Sequence, residues 1–543
     1  MFVDAREVEF GAVIKSEVCI VGGGIAGLTL ARDLDRRGIE TCLLESGGMS
    51  PDRATRDLSR GENLGVPHNV AEGSHSRYLG GGTNAWDGWC QPLDDHDFRI
   101  RDWVPNSGWP IGPDDLRSYY DQAHTVLGLG PNSYDPRYWV DQLARADVRR
   151  LPLAPDRVTD SLSQFSLPES FGSLYHKALD RAAHLRVFLY ATVVEIETDP
   201  AAVAARRAVV FSLRGRKMTV TARIFVLAAG AIENARILLA SNKTRRSGLG
   251  NMYDLVGRYF MDHPSVLAGE VRFVDGWKSN RLYDERLNRC DPEVAVRGVS
   301  FAGHYRLTTG VQQQERLLNS RIWFSSVYAG EHPAVTTALE GLRRRVVDRE
   351  GPRERVTELL ARLAAHPKES LQLLVARWFR VRQMVSSVRL HALVEPVPDP
   401  ESRVMLSDEQ DELGTARVRV RWRLDALAQR TLDRTYAIFA EELERAGVAK
   451  VALGPRLEGK DWQSQIEFIA NQHQMGTTRM HDSPRAGVVD RHGLVHGMRN
   501  LYVAGGSVFP TAGAGPPALT VVALAIRMAD RLVDELRPGG RTR

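Results

Sequence analysis

Residues 16–45 read SEVCIVGGGIAGLTLARDLDRRGIETCLLE, and the order of residue types in this stretch decides the fold. A short β-branched run ends at Val21. Gly22, Gly24 and Gly27 follow as GxGxxG, a helical stretch runs to about Arg37, and a second strand ends at Glu45. Strand, glycine turn, helix and strand at this spacing make the first crossover of a doubly wound α/β sheet that binds a dinucleotide. Gly22 permits the tight turn, Gly24 lets backbone approach a pyrophosphate, and Gly27 lets helix and strand pack closely. The N–H groups and dipole of the helix start, at Ile25 and Ala26, attract the phosphates. Glu45 stands at a strand's C-terminal end, where its carboxylate can accept hydrogen bonds from a ribose, and Ser46 lies beside it. A glycine turn that bound nothing would leave Glu45 unexplained.

A second crossover reads ARIFVLAAGAIENARILLAS, residues 222–241, with an apolar strand, a small-residue turn at Ala228, Ala229 and Gly230, and a helix. Side chains this small either admit a cofactor close to backbone or serve tight packing, and both readings stay open. At 543 residues the chain exceeds the size at which one hydrophobic core keeps growing, so two domains in one body are expected. No run of about 18 uncharged apolar residues marks a transmembrane span. The N-terminal MFVDAREVEFGAVIKSE is charged and lacks the basic-then-apolar layout of a secretory signal, so a cytoplasmic location is the expectation. Cys19, Cys42, Cys90 and Cys290 match neither a metal site nor a disulfide framework, and no metal is expected. Cys19 and Cys42 lie in apolar strands and read as buried, reduced thiols.

The net charge of +5 is concentrated in one place. Gly341–Arg382 holds 11 Lys and Arg against 5 Asp and Glu, a local balance of +6, and the rest of the chain is close to neutral. Leu and Val recur there at helical spacing, with breaks at Gly351-Pro352 and Pro367. The spacing predicts two or three short amphipathic helices, a basic insertion over about 335–385. A solvated helical face is the plainer reading, and a peripheral membrane or partner contact through 341–382 is the alternative. No nucleic-acid partner is expected.

Five stretches together resemble the glucose-methanol-choline (GMC) family of FAD-dependent oxidoreductases. They are the opening stretch, RYLGGGTNAWDGWCQPLDDHDF at 77–98, VLAAGAIENARILLAS at 226–241, HQMGTTRM at 473–480, and VVDRHGLVHGMRNLYVAGGSVFPTAGAGPPALTVVALAIRMAD at 488–530. The finer resemblance is to the pyranose-oxidase-like branch that tailors sugars and aminoglycosides. It implies an α/β fold with a Rossmann-like FAD-binding domain drawn from 11–98, 185–262 and 484–538. It also implies a substrate domain with an antiparallel sheet and helices from 99–184 and 263–483. In such proteins Gly80, Gly81, Gly82, Thr83, Asn84 and Ala85 would pass along the flavin. Several relatives tether FAD through a histidine at the position of Ala85, which has no nucleophilic atom, so non-covalent FAD is expected. Val194, Ala229, Gly230 and Asn234 are further cofactor contacts implied by the resemblance. Gly505, Gly506 and Ser507, after the strand NLYVAG, and Pro517 complete them.

Oxidising an alcohol needs a base for the hydroxyl proton and an acceptor for the hydride. The resemblance implies flavin N5 as acceptor and His473, which opens HQMGTTRM, as base. Most relatives pair that histidine with a second polar residue. Its position here falls on Pro516, which offers no side-chain donor or acceptor. Asn471, Gln474, His263 in FMDHP and Glu395 in HALVEPVPDP are the candidate substitutes, each with a structural reading as well. Glu395 would suit hydroxyl or ammonium groups if it faced the cavity. The alternating ARVRVRWRL at 416–424 is expected in the sheet floor of the substrate domain. The expected function is FAD-dependent oxidation of a CH–OH group of a sugar, glycoside or aminoglycoside-like alcohol, with oxygen or another electron acceptor. The alternatives are a non-redox flavin lyase of the same fold and the flavoprotein subunit of a membrane-associated sugar or polyol dehydrogenase.

Overall fold

The strand Val13–Val21 buries its last four residues because a parallel neighbour lies on each side, Thr41–Leu44 and Lys217–Leu227. Strands buried on both faces read as unbroken apolar runs, as Val18–Val21 does. The computed structural model describes residues 1–66, 76–167, 169–274, 277, 280–284, 294–328, 330–347, 355–379, 385–453 and 473–537.

The first sheet runs in the order Phe2–Asp4, Leu185–Leu189, Thr41–Leu44, Val13–Val21, Lys217–Leu227, Ala205–Phe211, Thr192–Thr198. Pairing is parallel from Phe2–Asp4 through Lys217–Leu227 and antiparallel beyond it. Lys217–Leu227 is long enough to take two partners on one edge. Its start pairs with Ala205–Phe211, and Phe225–Leu227 pairs in parallel with Leu501–Val503. The helices Ile25–Arg36 and Ala231–Ala240 are the two crossovers, and Ala518–Leu536 closes the layer.

The second sheet is antiparallel, in the order Ala449–Leu453, Ser265–Phe273, Val385–Val394, Ser320–Tyr328, Val299–Leu307, Val158–Phe165, Trp89–Cys90. The helix Ala426–Arg445 packs on it, with the Tyr436 hydroxyl donating to the Val266 carbonyl. The strand Ala416–Arg421 does not join this sheet, contrary to the sequence expectation. It forms a separate three-stranded sheet with Arg403–Gln410 and Gly61–Asn63. Alternation showed one buried face correctly but carried no information about the partner strand.

Three helices, Pro333–Val347, Val356–Ala365 and Pro367–Phe379, fill the basic insertion between two strands of the second sheet. They form a small core of their own, with Val335 and Leu373 against Tyr328. Cys19, Cys42 and Cys90 are buried free thiols, and Cys290 lies outside the described residues. Among the described residues no helix is long and apolar enough to cross a membrane, and no group of three or more His, Cys, Asp or Glu could hold a metal.

Candidate active site

A cavity of about 430 Å³ opens where the first sheet's central strands end, at Val21, Leu44 and Ala228. Ligands of open α/β sheets bind outside the carboxyl ends of their strands, where the crossovers leave a crevice. At one end the wall is mostly backbone. Gly22, Gly24, Ile25 and Ala26 line it, with Ala229 and Gly230, Gly81, Gly82 and Thr83, and Gly505 and Gly506. Close packing explains the missing side chains at Gly22 and Gly27, whereas a Cβ on Gly24, Gly82 or Gly230 would meet no protein atom closer than 3.9 Å. A Cβ on Gly22 would stand 2.6 Å from the Ala228 carbonyl oxygen, and one on Gly27 would overlap the carbonyl oxygen of Gly22.

Glu45 closes this end. Its Oε2 accepts from the Gly23 N–H at 2.8 Å and its Oε1 from the Gly47 N–H at 2.8 Å. Burial raises its pKa above the ordinary value, opposed by those N–H groups. Each carboxylate oxygen keeps a lone pair for a further donor such as a ribose hydroxyl.

The other end is made of side chains from separated segments: Trp89, Ser265, Arg321 with Trp323, His473 with Gln474, and Pro516. The Arg321 guanidinium lies over Trp89 at 4.1 Å from the ring centroid. Among the described residues, two buried polar atoms of this wall, Ser265 Oγ and Gln474 Nε2, have no hydrogen-bond partner, and neither has Trp86 Nε1. Such atoms cost free energy unless something supplies a partner. A glycine-lined cradle with an acidic residue at one end and orphaned donors at the other fits a dinucleotide carrying a polar ring system, as FAD does.

His473 is placed by a backbone bridge. Met261 and Met475 exchange N–H···O bonds of 3.0 and 2.9 Å, and the Asp262 carboxylate accepts from the backbone N–H of both His263 (2.8 Å) and His473 (2.9 Å). The two imidazoles then meet Nδ1 to Nδ1 at 3.0 Å, with ring planes at 83°. His263 Nε2 lies 2.8 Å from the Gly513 carbonyl oxygen. Although His473 is open to the cavity, protein surrounds the rest of its ring. Desolvation first, then His263, lowers its pKa to about 3. Burial lowers the pKa of His263 as well.

Ser46, Ala85 and Pro517 line the cavity as well. Four of the residues singled out in the sequence serve the cavity from behind. Gly27 packs helix on turn, and Asn84 Nδ2 donates to the Leu79 carbonyl at 3.2 Å, bracing its own loop. Asn234 Oδ1 accepts from the Ala229 N–H and its Nδ2 donates to Ser507 Oγ, tying the second crossover to the C-terminal turn. Val194 sits at a bulge, so its neighbour Val193 faces the cavity instead.

Glu395 does not face the cavity. It is fully buried, holds Arg101 through two bonds of 2.7 and 2.6 Å, and accepts from the Asn319 N–H. Burial pushes its pKa up, but the Arg101 guanidinium outweighs this and holds it below the ordinary range. His263 stands behind His473 rather than in the wall, and Asn471 lies outside the described residues. Pro516 is buried in the wall, and Pro517 is the N-cap of Ala518–Leu536 rather than a residue of its first turn. Sequence reasoning missed Trp89, Ser265, Arg321 and Trp323, since nothing local in a strand distinguishes a cavity-facing residue from a core one.

Crossover, backbone cradle and buried histidine define a flavoprotein oxidoreductase. Residues 17–249 match the family described as FAD dependent oxidoreductase, and residues 398–525 match GMC oxidoreductase. Over these matches the chain is similar to the GMC oxidoreductases, and its cofactor is FAD. It is 23% identical to the fructose dehydrogenase large subunit of Gluconobacter japonicus, over 97% of this chain and 99% of that one. It is 24% identical to paromamine 6'-oxidase of Streptomyces fradiae, over 96% and 92%. A C-glycoside 3-oxidase of Microbacterium trichothecenolyticum is 35% identical over 25% of each chain. The fold is similar to that of a formate oxidase crystal structure, with a TM-score of 0.56 and 17% identity over 97% of this chain and 99% of that one.

Proposed function

We propose that this protein oxidises a CH–OH group of a sugar, glycoside or aminoglycoside-like alcohol, with His473 as general base. The observation that carries the reading is an imidazole held neutral by burial at the end of the cavity that also carries orphaned polar atoms. The names of full-length relatives, a fructose dehydrogenase subunit and a paromamine oxidase, support the substrate class. FAD, held without a covalent bond because Ala85 offers no nucleophile, supplies a hydride acceptor at flavin N5. A neutral His473 takes the hydroxyl proton as the hydride leaves the same carbon, which is the work of a general base. Pro516 cannot hold the substrate oxygen, and among the described residues Ser265 Oγ and Gln474 Nε2 beside His473 have a free hydrogen-bonding atom that can. The first sheet with its helices, broadly 11–98, 185–262 and 484–538 with the edge strand Phe2–Asp4 added and Trp89–Cys90 lent to the second sheet, is the FAD unit, and 99–184 with 263–483 form the substrate unit.

The test is anaerobic mixing of the yellow holoprotein with a panel of sugars, glycosides, paromamine and simple alcohols, followed by flavin absorbance. Bleaching by a member of the panel is expected. Turnover with no bleaching would instead mark a lyase. A second reading, a flavoprotein subunit of a larger assembly, draws on Leu360, Leu371 and Leu374, which are exposed on the helices Val356–Ala365 and Pro367–Phe379 of the basic insertion. Co-sedimentation with phosphatidylglycerol vesicles, lost in Leu371→Glu/Leu374→Glu, would support it.

A further inference from the structure

Two hydrogen bonds leave the protons of the histidine pair no freedom. A carbonyl oxygen only accepts, so the 2.8 Å contact to Gly513 requires His263 to carry its proton on Nε2. A neutral His263 therefore has a lone pair on Nδ1. The 3.0 Å contact between the two Nδ1 atoms then requires His473 to donate, which puts its proton on Nδ1. The second lone pair falls to His473 Nε2, the ring nitrogen with no protein partner among the described residues. No other side chain hydrogen-bonds to either imidazole among those residues; Asp262 Oδ1 accepts from the two backbone N–H groups instead.

We infer that His263 is a positioning residue that sets the tautomer of His473, with the Gly513 carbonyl as the fixed end of the chain and a bare Nε2 presented to the cavity. Gly513 suits that role. Its φ is +61°, in the left-handed region that favours glycine, and a Cβ there would stand 2.6 Å from Asp97 Oδ2. The carbonyl direction is thus held by backbone geometry rather than by a side chain. In most enzymes that use a histidine base, a carboxylate or carbonyl bonds directly to its other nitrogen and fixes the tautomer. Here a second neutral imidazole passes the polarity of a backbone carbonyl along, and Asp262 holds the backbone of both histidines without touching either ring.

The consequence for the reaction rests on the reading of His473 as base, while the tautomer itself does not. Two substitutions separate the halves of His263. His263→Asn keeps an acceptor at the Nδ1 position and drops the bond to Gly513. His263→Gln keeps a donor for Gly513 and removes the acceptor facing His473. The first measurement is the 15N spectrum of the [15N]histidine-labelled holoprotein, with His473→Asn identifying the His473 signals. The expected result is a protonated Nδ1 and a bare Nε2 on His473, retained in His263→Asn and lost in His263→Gln. A proton on His473 Nε2 in the parent protein would overturn the inference. The second is the limiting rate of anaerobic flavin reduction by the fastest alcohol of the panel. His263→Gln should fall about 100-fold, the low end of what a general base contributes, with apparent substrate affinity unchanged and His263→Asn close to the parent. Equal losses in the two variants would leave His263 a merely structural residue. The expected spectrum together with an unaltered rate in His473→Ala would instead sink the base assignment and leave the tautomer standing.

Discussion

The two ends of the cavity are built on opposite plans. The nucleotide end is largely backbone, packed at Gly22 and Gly27 so closely that a Cβ would overlap, and its Glu45 carboxylate bonds to main-chain N–H groups. The reacting end is side chains delivered by strands and turns far apart in sequence, and its central group is an imidazole whose charge state depends on burial. A grip made of backbone should therefore fail chiefly through shape. A site made of desolvated side chains should survive changes of shape and respond to charge.

The most direct test of this contrast, read as loss of flavin, is at Gly27. Gly27→Ala drives a methyl into the Gly22 carbonyl, and overpacking of this kind costs about 1–3 kcal/mol where the neighbours can shift. Here the neighbour is the phosphate-binding turn itself, so the variant should purify without flavin, read as absorbance per mole of protein. A flavin-replete Gly27→Ala would break the comparison. Behind the reacting end, Arg101→Ala strands Glu395 as a buried charge, and removing one partner of such a pair costs about 3–5 kcal/mol. The urea midpoint should drop accordingly, and Arg101→Met/Glu395→Gln should regain most of it.

At His473 itself the expectation is chemical. His473→Ala should bind FAD as the parent does, yet its flavin should be reduced at least about tenfold more slowly, the lower part of the range for losing a base. The smallest effect is the response to acid. An unfolded His473 takes its proton near 6.5 and the folded one near 3, so between those values the unfolded state binds more protons and stability falls as pH is lowered. The slope is at most about 1.4 kcal/mol per pH unit. Urea titrations of parent and His473→Asn from pH 7 to pH 5 should differ by up to that slope. Asp97, raised to about 6 by burial, works in the opposite direction in both proteins and cancels from the difference.

The nucleotide end was legible because its tasks are local. Gly22, Gly24, Gly27 and Glu45 sit on one crossover, and each needs only its neighbours to do its work. His473 could be found only because HQMGTTRM resembles a family motif, and its partner His263 was seen but misplaced. Polarity near a missing side chain at Pro516 made His263 one of four candidates to fill the gap, whereas the bridge between Met261 and Met475 sets it behind the base. Glu395 failed for a related reason, since a carboxylate at a strand end gives no sign of an Arg101 294 positions earlier in the chain. Trp89, Arg321 and Trp323 left no trace, because a strand's inward residues look alike until the opposing surface is known.

The double pairing of Lys217–Leu227 bears on how the protein is made. Phe225–Leu227 waits for Leu501–Val503, about 270 residues further along. At roughly 5–20 residues per second this is a delay of roughly 15–50 s on the ribosome, during which a row of backbone N–H and C=O groups has no partner. Gly505, Gly506 and Pro517 follow within the next 14 residues, so the cradle cannot close over its cofactor before that stretch is made. Yellow colour in a nascent or truncated population would therefore report chains that have gained their C-terminal strand.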